Sequence, residues 1–223
     1  MDLDWGFVPI NDVSDRGIQD LTFDGLLKEP LKVHQDGGAA GCGGRLWPAG
    51  ELLSRYLIRQ AEIPYRKIIE LGSGTGLAGL AVAVGHPEAD FELYITDQEN
   101  LMHLMEENIV LNNQQQRVKA RVLNWGEELP EYAKGADLIL AADCVYLEFA
   151  FPLLEKTLLD LTNDGTRVLM AYKKRRKADK HFFKRIKKNF DVVEIRDFPE
   201  YEQFHRDVVY LFEIIRKTPP LKP

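Results

Sequence analysis

The sequence predicts an α/β fold: a mostly parallel sheet with helices on both faces and an antiparallel hairpin at its C-terminal end. Three observations carry this. From residue 65 onward, short apolar runs alternate with segments of helical periodicity. The runs are apolar throughout rather than at every second residue, as in strands buried on both faces. The last two runs, 190–196 and 208–216, flank a stretch, 197–207, that reads as too short and irregular for a crossover helix, so they pair as a hairpin.

The elements follow in order. Residues 1–46 read as an N-terminal extension with short strands and the glycine loop Asp36-Gly37-Gly38-Ala39-Ala40-Gly41-Cys42-Gly43-Gly44. Pro48 suits the first turn of a helix reaching about residue 60, with Leu52, Leu53, Tyr56 and Leu57 on one face. Strands are expected at 67–71, 92–96, 119–123, 137–142 and 167–172, and helices at 77–84, 99–111, 149–161 and 178–189. The last residues, 218–223, read as a frayed terminus. One domain is expected, the extension 1–46 followed by a core over 47–217.

Composition removes several classes. Hydrophobic residues make up 45% of the 223, enough for a core, but the longest apolar runs are strand-length and far short of a membrane span. Met1-Asp2-Leu3-Asp4 opens acidic, without the basic and apolar regions of a secretory signal. Cys42 and Cys144 form no metal-like spacing and are too few for a disulfide scaffold, so a reduced, cytoplasmic setting is expected. The net charge of −6 conceals an asymmetry: residues 173–188 hold ten Lys/Arg and one acid, leaving 19 basic against 34 acidic residues elsewhere. That basic segment reads first as a solvated helix face, then as a dock for an acidic protein patch. An RNA contact has no aromatic interleaving to support it. A monomer is expected.

The chemistry begins at Glu70-Leu71-Gly72-Ser73-Gly74-Thr75-Gly76, a strand, a glycine turn and then a helix. Such a turn brings backbone N–H groups close to a ligand. A phosphate-binding loop needs Lys and Ser/Thr after its last glycine, whereas Leu77-Ala78 follow here. A dinucleotide fold needs a small residue where Leu77 stands. The acid Glu70 would repel a pyrophosphate and favours a ligand bearing positive charge, such as the amino group and sulfonium of S-adenosylmethionine. Asp97 ends the next strand, where a carboxylate accepts hydrogen bonds from ribose hydroxyls; it also suits the N-cap of the helix after it.

At these residues the chain resembles the seven-β-strand, Rossmann-like S-adenosylmethionine-dependent methyltransferases. Gly43-Gly44-Arg45-Leu46-Trp47, Leu123-Asn124-Trp125-Gly126 and Ala142-Asp143-Cys144-Val145-Tyr146 are similar to the signature set of the family-16 protein-lysine methyltransferases. The stretches from Ala141 to Leu158 and from Met170 to Lys180 look like fungal members that methylate a lysine of translation elongation factor 1-alpha. The resemblance implies a seven-stranded sheet, S-adenosylmethionine as cofactor and a protein substrate, with neither metal nor membrane. It places Gly72, Ser73 and Gly74 around the methionine part of the cofactor, Asp97 on the ribose and Trp125 near the adenine; Glu70 and Gly76 of the same turn are expected to bind the cofactor as well. It also sets Ala142 in the pocket wall and Trp47 as a closure from the N-terminal side. Trp47 otherwise reads as core of an amphipathic helix.

The resemblance makes Asp143 and Tyr146 the acceptor site, Asp143 attracting and orienting the ammonium and Tyr146 aligning it. Otherwise Asp143 is a helix cap and Tyr146 is core. Cys144 and Val145 replace the prolines that shape a slot for planar amines, which argues against such an acceptor. A histidine or small-molecule acceptor, or a noncatalytic S-adenosylmethionine-fold binder, stays open at this point.

Overall fold

The structure is a computed structural model and describes residues 16–177 and 179–218. The acidic opening and the last prolines lie outside the described residues. In chain order the elements are β1 (Gly17–Leu21), β2 (Leu31–Gln35), α1 (Pro48–Ile58), β3 (Lys67–Leu71), α2 (Leu77–Gly85), β4 (Glu92–Asp97), α3 (Met102–Leu111) and β5 (Val118–Val122). They continue with β6 (Leu138–Ala142), α4 (Phe151–Leu161), β7 (Arg167–Lys173), α5 (Asp179–Ile186), β8 (Phe190–Glu194), α6 (Tyr201–Arg206) and β9 (Val209–Arg216). A seven-stranded sheet has the order β5-β4-β3-β6-β7-β9-β8. Its first five positions are parallel, and β9 lies antiparallel to both β7 and β8.

Strand burial accounts for the absence of alternation in the sequence. Ile68, Leu93, Ile95, Leu138 and Leu140 face one side with α1, α2 and α3. Ile69, Leu71, Ile139, Val168 and Met170 face the other with α4 and α5. Helix α2 is apolar around its circumference and buried nearly throughout, so it is a core helix rather than a surface one. Strand order reverses between β4 and β6 on either side of β3, the topological point where open α/β sheets form ligand crevices.

Two expectations change. Residues 197–207 are not free of helix: they contain α6. Phe198, Tyr201 and Phe204 recur every third residue, and Phe204 is buried in the core while Phe198 meets Tyr56 edge-on at 6.1 Å. Helices expected to begin at 99 and 149 each open with a 3₁₀ turn, Glu99–Leu101 and Glu148–Ala150, before α3 and α4 proper.

The N-terminal hairpin β1–β2 forms its own two-stranded sheet and docks through side chains. Asn108 on α3 and Asn112, the residue just beyond its end, present their amides to alternate residues of β2. Asn108 Oδ1 accepts from His34 N–H at 2.7 Å and its Nδ2 donates to His34 O at 3.1 Å. Asn112 does the same with Lys32, at 2.9 and 2.7 Å. The two amides stand in for a neighbouring strand, satisfying an edge that would otherwise be orphaned. Asn108 is fully buried and also donates to Thr75 O at 2.9 Å, linking the hairpin to the glycine turn. Replacing Asn108 with Ala leaves these buried backbone groups without partners, and a loss of about 2–4 kcal/mol in denaturant unfolding is expected. Asn112→Ala, at a more exposed position, is expected to cost less.

Candidate active site

The site lies at the carboxyl ends of β3, β4 and β6. After Leu71 the chain turns through Gly72, Gly74 and Gly76 at φ of 58°, 56° and 79°, the left-handed region that favours glycine. Space is short at each of them as well. A Cβ on Gly72 would stand 3.0 Å from the Trp125 ring and 3.1 Å from Cys144 Sγ. A Cβ on Gly74 would stand 2.5 Å from the carbonyl oxygen of Gly43. Ser73 fastens the turn to β4: its N–H donates to Thr96 O at 2.9 Å, and its Oγ accepts from Thr96 N–H at 2.8 Å.

Two acids flank the turn. Asp97 Oδ2 accepts from Gly74 N–H at 2.8 Å and Oδ1 from Gln98 N–H at 2.8 Å; burial raises its pKa above the ordinary value. It caps no helix, since the 3₁₀ turn beyond it starts after Gln98. Glu70 is buried beneath α2, where its Oε2 accepts from Gly79 N–H at 2.9 Å. One of its oxygens is therefore committed to the first turn of that helix. Burial nonetheless pushes its pKa up to about 8.

The segment between β2 and α1 forms a roof over this floor. Asp36 gathers the N–H groups of Gly38, Ala39 and Ala40 at 2.6, 3.0 and 2.8 Å, and Gln35 Oε1 accepts from Leu46 N–H at 2.7 Å. Trp47 ends the roof just ahead of α1, its indole N–H donating to Cys42 O at 2.9 Å.

Trp47, Glu70, Gly72, Ser73, Gly74, Asp97, Trp125, Ala142, Asp143 and Tyr146 all line one cavity of about 580 Å³, a size suited to a nucleoside-sized ligand. Gly76 is not part of that wall. It precedes α2 as a left-handed residue against Ile95, where a Cβ would come within 2.7 Å of Cδ1. At the mouth stand two apolar side chains, Phe149, which is 74% exposed, and Leu153.

Asp143 sits at φ 57°, and its carboxylate caps no helix. It is paired with Arg175 through two bonds of 2.8 Å. Tyr146 is partly buried and hydrogen-bonded to Cys42; burial, then the nearby thiols, raise its pKa well above the phenol range, so it is a neutral hydroxyl at physiological pH. Arg175 and Cys42 were not legible as site residues. Arg175 was hidden within a run of five basic residues, and Cys42 within a glycine loop.

The Glu70 environment has a measurable consequence. The folded state keeps the Glu70 proton up to about pH 8, whereas the unfolded chain loses it near the ordinary value of 4.5. Stability is therefore greatest below the unfolded value and falls as pH rises towards 8, by an amount on the order of a few kcal/mol. Chemical denaturation of the ligand-free protein at pH 5 and pH 8 is expected to show that fall. Glu70→Gln is expected to flatten it.

Known proteins resemble this chain in sequence and in fold. The lysine methyltransferase family model matches residues 26–189. The protein-lysine N-methyltransferase EFM6 of Saccharomyces cerevisiae is 48% identical, the match covering 90% of this chain and 92% of that protein. EEF1A lysine methyltransferase 3 of Xenopus tropicalis is 32% identical over 70% of each. Among solved structures, the mitomycin 7-O-methyltransferase MmcR aligns with a TM-score of 0.59 at 12% identity. That match covers 76% of this chain and 54% of MmcR, so the chain spans little more than half of that enzyme and the likeness is one of fold. The chain that carries this glycine turn, acid-lined cavity and Asp143–Tyr146 pair thus belongs to the lysine methyltransferase family.

Proposed function

We propose that the protein is an S-adenosylmethionine-dependent protein-lysine N-methyltransferase acting on translation elongation factor 1-alpha. The observation that carries this reading is the convergence of the glycine turn, Asp97 and the Asp143–Tyr146 pair on one cavity. The residues fit the cofactor. Gly72 and Gly74 line the cavity with bare backbone, which lets a ligand approach closely. Glu70 and Asp97, both raised by burial, make a desolvated acidic floor that gains from a cationic ligand. Trp125 supplies an apolar wall. Bound there, S-adenosylmethionine supplies a methyl group on a sulfonium, an electrophile that needs only an aligned, uncharged amine.

The chain's own residues supply alignment and exclusion of water. Trp47 and the roof cover the cavity, while Asp143 and Tyr146 offer an acceptor and a hydroxyl to the incoming amine. Tyr146 keeps its proton, so it orients rather than deprotonates. Lysine has an ordinary pKa of about 10.4, and desolvation beside a cation lowers it towards the neutral, reactive form. The apolar rim of Phe149 and Leu153 suits a protein surface better than a small solute. Elongation factor 1-alpha is supported by the relative named for EEF1A and by the fungal resemblance of residues 141–158 and 170–180. A cytosolic setting accords with Cys42 and Cys144, both free thiols.

The test is transfer of label from methyl-labelled S-adenosylmethionine to protein in a lysate lacking the endogenous enzyme. A single labelled band at elongation factor 1-alpha, with the label on lysine, is expected. Asp97→Ala is expected to weaken cofactor binding in calorimetry by tenfold or more, roughly 1.4 kcal/mol. Tyr146→Phe is expected to lower the rate while leaving that binding intact. Label in RNA or in small molecules would refute the lysine assignment.

A further inference from the structure

Asp143 meets the cavity with its charge already matched. Its Oδ1 accepts from Lys173 N–H at 2.9 Å and from Arg175 Nη1 at 2.8 Å, and its Oδ2 accepts from Arg175 Nη2 at 2.8 Å. The two side chains are only 6% and 7% exposed. Arg175 also donates to Lys173 O at 3.2 Å and lies over the Trp47 indole, 5.3 Å from the ring centroid. A two-pronged, buried pair of this kind is held in place, because separating it leaves an uncompensated buried charge.

This bears on how a lysine can be methylated here. A bare carboxylate beside the acceptor would favour the ammonium, which has no lone pair to attack with. A carboxylate matched by a guanidinium has no such net preference, yet it can still accept a hydrogen bond. Its two oxygens accept about four bonds in all, and the three donors named above leave room on Oδ2.

We propose that Arg175 is a positioning residue of the methyl transfer: it neutralises Asp143 in place, so that the carboxylate orients the acceptor amine without holding it protonated. This rests on the lysine-acceptor reading above. A lysine at position 175 would keep the charge but lose the planar fork.

The other charged and titratable groups around the pair do not supply the same effect. Burial raises the pKa of Tyr146, Tyr172 and Cys144, which leaves them uncharged at physiological pH. Asp179 is engaged by Arg176, which also donates to Tyr146 O. On the remaining walls, Arg45 bonds Gly37 O, while Asp97, Glu70, Glu127 and Cys42 complete the titratable lining among the described residues.

The experiment follows the acceptor lysine directly. Elongation factor 1-alpha labelled with ¹³C at the lysine Cε is titrated by NMR in complex with the protein and S-adenosylhomocysteine, and the pH profile of kcat is measured in parallel. Arg175→Gln is expected to raise the pKa of the bound lysine by about one to three units and to move the acidic limb of kcat upward equally. Asp143→Asn combined with Arg175→Gln removes both charges and leaves no unpaired one, so the lysine pKa is expected to return near the wild-type value. That double variant decides the matter if Arg175→Gln alone fails to fold. Arg175→Lys should keep the wild-type limb at a lower rate. An unmoved lysine pKa in Arg175→Gln, or a shift of a unit or more in the double variant, would overturn the proposal. So would a faster Arg175→Gln at neutral pH, which would make Arg175 an obstruction. If the wild type methylates no lysine at any pH, the acceptor reading fails and takes this inference with it.

Discussion

The carbonyl oxygen of Gly43 lies where a side chain on Gly74 would begin, 2.5 Å from the ideal Cβ position. This backbone-to-backbone approach sets the height of the site. It rests the roof, built from Asp36 to Trp47, on a floor made by the turn after β3. The roof cannot settle unless both residues lack side chains, and the floor cannot adopt its left-handed turn without glycine at 72 and 74. Asp97 then fixes the Gly74 N–H from below. The hairpin that carries the roof is held in turn by Asn108, which touches both β2 and the turn.

The cavity enclosed in this way has two electrostatic halves. On the floor, Glu70 and Asp97 are desolvated with no cationic side chain among the described residues bonded to either, and both are pushed towards protonation. At the mouth, Asp143 is equally buried but fully matched by Arg175. The first half gains from a cation; the second is balanced before any ligand arrives. In the proposed reaction this division serves opposite needs. The donor carries a fixed positive charge, whereas the acceptor has to be stripped of one.

The sheet was largely legible because its strands are buried on both faces, and that burial writes continuous apolar runs into the chain. The helical gaps, the C-terminal antiparallel pair and the turn at Gly72–Gly76 followed from the same patterns. Asp97, Trp125, Asp143 and Tyr146 stand at strand ends, so placing the strands placed them. What escaped depends on partners distant in sequence. The pairing of Asp143 with Arg175 spans 32 residues, and the Asn108 amide bonds to His34 span 74. Arg175 sat among Lys173, Lys174, Arg176 and Lys177, where composition gives no reason to separate one buried cation from its solvated neighbours. Helix α6 escaped because the aromatic positions 198, 201 and 204, of which only the last two lie in the helix, repeat over a stretch too short for periodicity to register.

Glu70 illustrates a subtler limit. The sequence correctly marked an acid beside the turn, but not that its carboxylate would be engaged by Gly79 N–H beneath α2. Gly76 is the converse: one of three alternate glycines, it serves helix entry against Ile95 rather than the cavity. The account stands on the cavity receiving the cofactor in one orientation, and a crystal structure with S-adenosylhomocysteine tests that most directly. The account predicts ribose hydroxyls on Asp97, adenine against Trp125, the methionine part over Gly72–Gly74, and sulfur facing Asp143 and Tyr146. A ligand bound with its sulfur turned away from Asp143, or bound outside the space between the Gly43 roof and the Gly74 floor, would contradict it.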